Sequence, residues 1–289
     1  MSERPAWSHF QKLLEEAGFR PSRRLGQNFL LDENMLAAIA RDARIAPGES
    51  VLEVGPGLGF LTRHLLDCGA KLVCVEIDAR VLAIAKSWIE GPLWLYCDVL
   101  AGKHQLAPAV AAALPAHSGW QLVSNLPYSV SAPVLGVLAD LAHPPHGMTV
   151  LVQREVAERI AGQPGGSDWG LLSIALQSDY VIELVRHVPP QLFWPRPEVE
   201  SSVVRLTRKT EPLESGLRRR LLELAARLFP RRRQTLGRVL GELWGRESAL
   251  ACLADLGWEP SRRAEALDLA ELLALVQRGP KSPADCQGS

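Results

Sequence analysis

The sequence predicts an α/β protein with a seven-stranded sheet and a smaller C-terminal domain that is all helical. Short apolar runs alternate with helical patterns for about a hundred residues from Ser50. This alternation is typical of a parallel sheet covered on both faces. Two later strand-like runs have no helix between them, which indicates an antiparallel closure of the sheet. Beyond Thr210 the apolar spacing is wholly helical. The length of 289 residues suits two domains.

The first forty residues precede this alternation. A helix is expected over Ser8–Ala17, and a polar, basic stretch at residues 20–30 follows it, which we interpret as an ordered arm. Asp32 is placed to cap the next helix, because Met35 and the apolar residues after it keep helical spacing as far as Ala43.

Seven strands and the helices around them follow in order. The predicted strands are Val51–Val54, Leu72–Ile77, Leu93–Cys97, Trp120–Ser124, Thr149–Gln153, Tyr180–Val188 and Ser201–Thr207. The predicted helices are Leu58–Cys68, Ala79–Ile89, Gln105–Ala113, Val130–Leu141, Arg154–Ala161 and Leu171–Ser178. Pro189–Pro197 is a proline-rich link. We therefore expect a sheet domain over residues 1–210, with the arm, a helical domain over 211–278 and a flexible tail over 279–289.

A glycine-rich loop joins the first strand to its helix. Gly55, Gly57 and Gly59 let a ligand approach the backbone, and the helix that follows offers free N–H groups. A dinucleotide site would need a small residue at the position of Phe60, so the loop disfavours NAD. The loop predicts a nucleotide-like cofactor of another kind.

Two carboxylates follow the next strands along the chain. Glu76 ends the second strand, where it can accept from both hydroxyls of a ribose, and Asp98 follows the third, where it can accept from an adenine amine. Each alone could be a solvated strand-end residue. Together with the glycine loop they suit an adenosine-bearing ligand without a pyrophosphate, and S-adenosylmethionine fits.

A short turn, Asn125-Leu126-Pro127-Tyr128, lies between the fourth strand and its helix. The Asn125 side-chain oxygen and the Leu126 carbonyl could hold the N–H groups of an exocyclic base amine. Pro127 would fix the direction of that carbonyl, and Tyr128 could stack on a flipped base. The alternative is an ordinary strand-to-helix turn, where Asn and Pro are common. The turn, the loop and the carboxylates all fall at one sheet edge, which favours a site.

The net charge of zero conceals an uneven distribution. Residues 208–238 contain ten Lys and Arg against three Asp and Glu. Within this stretch, Arg231, Arg232 and Arg233 are expected to begin a helix and to contact RNA phosphates. The alternative for the three arginines is a solvated helix start.

Several classes of protein and site are excluded. The longest apolar stretches stop well short of about 18 residues, so no membrane span is expected. The five cysteines form no CxxC pair and the seven histidines lack ligand spacing, so no metal site is expected. These features fit a cytoplasmic protein, which we expect to be monomeric.

The sequence resembles the ribosomal RNA adenine N6-dimethyltransferases of the RsmA/KsgA type, whose domain is a Rossmann-like class I methyltransferase sheet. The resemblance spans nearly the whole chain. The segments that carry it are Leu25–Leu30, Glu53–Gly57, Val75–Asp78, Asn125–Tyr128, Gln153–Val156, Phe193–Ser201, Arg231–Leu236 and Pro260–Glu265.

The resemblance implies transfer of methyl groups from S-adenosylmethionine to two adjacent adenosines in a hairpin loop near the 3′ end of small-subunit (16S) ribosomal RNA. The cofactor contacts it implies are Asn28, Leu30, Gly55, Glu76, Asp98 and Asn125. It also implies that Phe193 helps Tyr128 to enclose the base. The sequence departs from the family at Ser124, Glu198, Glu200 and Gln234, where Gly, Lys, Asp and Lys are usual.

Two other functions stay open. One is a resistance-type methyltransferase acting on large-subunit RNA, although the Pro260–Glu265 segment favours the small subunit. The other is a non-catalytic RNA-binding assembly or transcription factor on the same fold. The intact turn at Asn125 and the presence of Glu76 argue against the second.

Overall fold

The computed structural model describes residues 4–22, 25–102, 105–117 and 119–280. The strands within these ranges are β1 (Phe29–Leu30), β2 (Ser50–Val54), β3 (Lys71–Glu76), β4 (Leu93–Tyr96), β5 (Leu100–Gly102), β6 (Gln105–Leu106), β7 (Trp120–Asn125), β8 (Gly147–Gln153), β9 (Tyr180–Val188), β10 (Phe193–Trp194) and β11 (Ser201–Arg208). The helices are α1 (Trp7–Glu16), α2 (Glu33–Asp42), α3 (Phe60–Asp67), α4 (Ala79–Trp88), α5 (Pro108–Ala113), α6 (Ser131–Ala139), α7 (Arg154–Ile160), α8 (Leu171–Gln177), α9 (Ser215–Leu228), α10 (Leu236–Trp244), α11 (Arg246–Asp255) and α12 (Leu269–Arg278).

Seven strands form one sheet in the order β4-β3-β2-β7-β8-β11-β9, which confirms the predicted fold. Strands β4, β3, β2, β7 and β8 run parallel, and β11 pairs antiparallel with β8. The order places the carboxyl ends of β3, β2 and β7 side by side. Ligands of open α/β sheets bind at such an edge.

Apolar side chains on both faces of the central strands explain why this sheet forms. Leu122 and Val123 of β7 and Val150 and Val152 of β8 are all fully buried, as expected for strands covered by helices on both sides. The predicted cap of α2 is also present. Asp32 accepts the Met35 N–H at 2.7 Å, an interaction worth about 1 kcal/mol.

The chain divides into a sheet unit and a helical unit. The sheet unit contains the residues up to Ala157 and Val181–Arg208, and the helical unit contains Glu158–Tyr180 and the residues from Lys209 onward. The predicted sheet domain over residues 1–210 also includes residues 158–180, which the structure places in the helical unit. The reason for the difference is Trp169, which is buried in the core of the helical unit and donates its indole N–H to the Leu267 carbonyl at 2.9 Å.

The helix predicted for Gln105–Ala113 begins later than expected, at Pro108. Gln105 and Leu106 form β6, which pairs with β5. The residue before Pro108 is extended, because a proline disfavours helical geometry in its predecessor.

The arginine cluster does not begin a helix either: Phe229–Arg231 is a short 3-10 turn and α10 starts at Leu236. Most of the predicted tail, residues 281–289, lies outside the described residues. Within the described ranges, no helix has the length and apolar character needed to cross a membrane.

Candidate active site

A cavity of about 360 Å³ lies in the sheet unit at the carboxyl ends of β2, β3 and β7. Its size falls within the range of small-molecule sites, roughly 300–1,000 Å³. The arm, the glycine loop, the end of β3 and the Asn125 turn all contribute to its wall. Seven of the eight residues predicted to bind the cofactor line it: Asn28, Leu30, Gly55, Gly57, Glu76, Asp98 and Asn125.

Gly59, the eighth, does not line the cavity. Its φ is +84°, and a Cβ atom there would lie 2.4 Å from Cδ1 of Ile89. Gly59 therefore lets the start of α3 pack closely against the end of α4. Gly57 has a φ of +57°, and a Cβ there would lie 2.7 Å from the ring of Phe29. The loop thus packs directly against the arm.

Glu76 is held by three backbone N–H groups. Its Oε2 atom accepts from Gly57 at 3.0 Å, and Oε1 accepts from Ile77 and Asp78 at 2.9 Å each. Burial raises the pKa of this carboxyl, and the three hydrogen bonds partly oppose that rise. A carboxylate has about four acceptor positions. Glu76 can therefore accept about one further strong hydrogen bond. Two ribose hydroxyls would donate two, so one of them is expected to bind Glu76.

Asp98 differs from Glu76 in being exposed at the cavity wall. One of its oxygens, Oδ1, accepts from the Leu100 N–H at 3.0 Å. The second carboxylate oxygen can still accept from a ligand amine.

The side-chain amide of Asn125 has a defined orientation. Its Nδ2 atom donates to the Asn28 carbonyl at 3.0 Å. Because a carbonyl can only accept, this contact requires the NH₂ group on that side and leaves Oδ1 as an acceptor. The Leu126 N–H donates to the Leu151 carbonyl at 3.0 Å, and no residue in the described ranges donates to the Leu126 carbonyl. The turn thus offers two oxygen acceptors.

Pro127 packs against the glycine loop, since a Cβ on Gly55 would lie 2.7 Å from its Cγ. Tyr128 is half-buried, and its hydroxyl shares a 2.7 Å hydrogen bond with Ser201 Oγ. Burial raises the pKa of this phenol. Phe193 is only 4% exposed and belongs to the core of the sheet unit. Neither aromatic residue lines the cavity, and their enclosure of the base stays a prediction.

A buried glutamate that the sequence analysis did not single out also lines the cavity. Glu53 on β2 is 1% exposed and accepts from the Thr62 hydroxyl at 2.7 Å and the Cys74 thiol at 3.6 Å. Burial raises its pKa to about 8; the two hydrogen bonds lower it, and the charge of Glu76 raises it further. The sequence signal that could have identified Glu53 is a charged residue within the apolar strand β2, because a buried charge usually has a specific role or partner.

A second group missed from the sequence connects the arm to β3. Gln27 donates to Asp78 Oδ2 at 3.1 Å, and Arg80 contacts both oxygens of Asp78, at 3.0 and 2.7 Å. The arm is therefore anchored beside the cavity. Both Gln27 and Asp78 lie within the motifs of the family resemblance, but their pairing could not be read from spacing.

The three arginines of the basic cluster differ from one another within the helical unit. Arg231 forms an ion pair with Glu242. Arg232 donates to the carbonyls of Ser167 and Trp169 at 2.9 and 3.0 Å. Arg233 is exposed, and no partner for it occurs among the described residues. The structure therefore leaves Arg233 as the member most available to a ligand.

Comparisons with known proteins agree with this geometry. The model of the family "Ribosomal RNA adenine dimethylase" matches residues 18–278. Ribosomal RNA small subunit methyltransferase A of Geobacillus kaustophilus is 36% identical over 92% of this chain and 93% of its own. The protein of the same name from Leifsonia xyli is 40% identical over 94% of this chain and 97% of its own.

Two solved structures resemble most of the chain in fold. A dimethyladenosine transferase from Plasmodium falciparum has a TM-score of 0.72 at 23% identity, over 86% of this chain and 95% of its own. The 23S rRNA methyltransferase ErmE has a TM-score of 0.67 at 26% identity, over 86% and 98%.

Proposed function

The chain belongs to the ribosomal RNA adenine dimethylase family, and on that premise we propose that it methylates small-subunit ribosomal RNA. The proposed targets are N6 atoms of two adjacent adenosines in a hairpin loop near the 3′ end, and the product is N6,N6-dimethyladenosine. Relatives that are 35–40% identical are named for action on the small subunit, which supports this choice.

One observation carries the proposal: the Asn125 amide is oriented by the Asn28 carbonyl so that its oxygen remains an acceptor. The lone pair of adenine N6 is delocalised into the ring, which makes it a poor nucleophile. Oxygen acceptors on its N–H groups draw the nitrogen toward tetrahedral geometry and localise that lone pair. Asn125 Oδ1 and the Leu126 carbonyl supply two such acceptors.

The same two acceptors explain how a second methylation can follow the first. A monomethylated amine retains one N–H group, so one acceptor still orients it while the other position accommodates the methyl group. Positioning of this kind can supply most of the rate, because the chain holds the reacting atoms in line, and the proton that N6 loses on methylation is released to solvent.

The cavity fits S-adenosylmethionine, which supplies a methyl group on a positively charged sulfonium when bound. Glu76 provides an anchored carboxylate for a ribose hydroxyl, and Asp98 provides a free oxygen for the adenine amine. Gly55 and Gly57 expose backbone beside these acceptors. Among the described residues, no group of three or more His, Cys, Asp or Glu side chains is placed to hold a metal ion.

RNA contacts form the second part of the proposal. Tyr128 lies next to the acceptors and can stack on a base taken out of its helix. Arg231, Arg232 and Arg233 are proposed to face RNA, with Arg233 contributing most because the other two already have protein partners. We further propose that the protein acts as a cytoplasmic monomer on immature small subunits.

A large-subunit target is the second candidate, because ErmE has the same fold at 26% identity. The higher identity to small-subunit enzymes favours the first candidate. A non-catalytic role on the same fold would not need the oriented amide of Asn125. Primer extension on both RNAs distinguishes the two catalytic candidates.

The decisive variant is Asn125→Ala, with Asn34→Ala as a matched control because Asn34 is an exposed residue of α2. Loss of a placed polar group in the transition state costs on the order of 10²–10³ in rate. We expect that loss in Asn125→Ala, an unchanged circular dichroism spectrum, and full activity in the control. Wild-type turnover in Asn125→Ala would rule out the proposed role of the turn.

A further inference from the structure

A series of hydrogen bonds connects the cofactor side of the cavity to the arm. Glu76 Oε1 accepts from the Asp78 N–H at 2.9 Å. Asp78 Oδ2 in turn accepts from Gln27 Nε2 at 3.1 Å, and Gln27 Oε1 accepts from the Ser22 N–H at 2.9 Å. Gln27 therefore uses both ends of its amide, one toward the end of β3 and one toward the base of the arm.

The acceptor for Gln27 is firmly fixed. Asp78 is 6% exposed, and it caps α4 by accepting from the Arg80 N–H at 3.0 Å. The Arg80 guanidinium contacts both of its oxygens, and these hydrogen bonds hold the pKa of Asp78 below its usual value. Arg80 also reaches the Gly18 carbonyl at 3.3 Å. Asp78 thus presents a charged acceptor at a constant position.

The arm beyond Gln27 contacts the catalytic turn directly. The next residue, Asn28, supplies the carbonyl that accepts from Asn125 Nδ2 at 3.0 Å. On the other side of Gln27, a Cβ on Gly26 would lie 2.7 Å from the Tyr128 nitrogen. Gln27 is therefore flanked by two residues that touch the turn. The two hydrogen bonds of its side chain hold the arm segment that also carries the Asn28 carbonyl.

We propose that Gln27 is a positioning residue for methyl transfer, acting through the Asn28 carbonyl to keep the Asn125 amide oxygen aimed at the target amine. The inference rests on the proposed function of Asn125. A misplacement of about 1 Å can cost roughly 10²-fold in rate. The pairing of β1 with β10 holds the arm from the other side, so we expect a loss of about ten- to a hundredfold without Gln27.

The test is Gln27→Met, which retains the length of the side chain and removes both hydrogen bonds. Gln163→Met is the matched control, because Gln163 is exposed in the helical unit and bonds only locally, to the Ala161 carbonyl at 3.1 Å. Single-turnover rates are measured at saturating S-adenosylmethionine and RNA, and cofactor affinity is measured by calorimetry. We expect the rate to fall about ten- to a hundredfold and the dissociation constant to change less than about threefold.

A double variant separates positioning from a general structural role. Adding Gln27→Met to Asn125→Ala should give no further loss, because the proposed effect of Gln27 passes through Asn125. Multiplied losses would overturn the proposal. So would an unchanged single-variant rate, or a weaker cofactor affinity with a normal rate at saturation.

Two controls keep the result interpretable. If thermal melting shows that Gln27→Met is not folded, Gln27→Ala is measured with the same expectations. Wild type and Gln163→Met are assayed in parallel. An inactive wild type would refute the proposed function, whereas active wild type and control with a fully active Gln27 variant would refute this inference alone.

Discussion

Replacing Glu53 by glutamine should change how the stability of the protein depends on pH. Glu53 is 1% exposed and its pKa is raised to about 8 from an ordinary value of 4.5, chiefly by burial. Between these two values the folded protein keeps a proton that the unfolded chain has lost. The free energy of unfolding must therefore fall as pH rises through this window.

The difference between the two pKa values sets the size of this effect. One proton of difference corresponds to at most about 1.4 kcal/mol per pH unit. From pH 5 to pH 8 the loss approaches roughly 4 kcal/mol, and it levels off above the folded pKa, where both states are ionised. In Glu53→Gln the contribution disappears. The variant should match the wild type near pH 5 and exceed it in stability toward pH 8.

Urea denaturation of both proteins at pH 5.0 to 8.5 measures the effect. Glu211→Gln is the control, since Glu211 is an exposed glutamate of the helical unit. The difference between Glu53→Gln and wild type should grow from pH 5 to about pH 8 and then level off, while the control curve stays parallel to that of the wild type. A constant difference for Glu53→Gln would mean that Glu53 is ionised in the folded state, which would refute the reasoning.

Three further perturbations test the site and the basic cluster. Glu76→Ala should weaken cofactor binding by roughly 1.5–3 kcal/mol, because it removes a charged hydrogen-bond acceptor; calorimetry that finds an unchanged dissociation constant would place the ribose contact elsewhere. Arg233→Ala should lower RNA affinity and reduce its salt slope by roughly 0.7–0.9. Arg232→Ala should instead lower the urea midpoint, because Arg232 donates to two backbone carbonyls. A salt slope of RNA binding that falls in Arg232→Ala but not in Arg233→Ala would show that Arg232, not Arg233, contacts the RNA. Gly57→Ala should destabilise the protein by roughly 1–3 kcal/mol, because its Cβ would lie 2.7 Å from the Phe29 ring at a positive φ, and unaltered melting would contradict that contact.

The sheet and the position of its ligand edge could be predicted because their signals are local. Apolar runs give the strands, and the glycine loop marks the first crossover. Glu76 ends its strand as expected, and Asn125, expected just after its strand, is the last residue of β7. The cavity accordingly contains most of the residues proposed for the cofactor.

What the sequence could not provide depends on contacts between distant residues. Trp169 and its segment belong to the helical unit because the indole N–H of Trp169 donates to the Leu267 carbonyl, 98 residues later in the chain. Nothing in the sequence distinguishes Arg232 from Arg233, yet only the Arg232 guanidinium donates to two backbone carbonyls among the described residues. The pairing of Gln27 with Asp78 across the chain is equally invisible to spacing.

The central claim is tested most directly by methyl transfer from labelled S-adenosylmethionine to immature small ribosomal subunits, followed by nucleoside analysis of the RNA. The account predicts label in N6,N6-dimethyladenosine, at two adjacent positions near the 3′ end of the small-subunit RNA, and none in large-subunit RNA. Label confined to large-subunit RNA, or cofactor binding without any methyl incorporation, would contradict it.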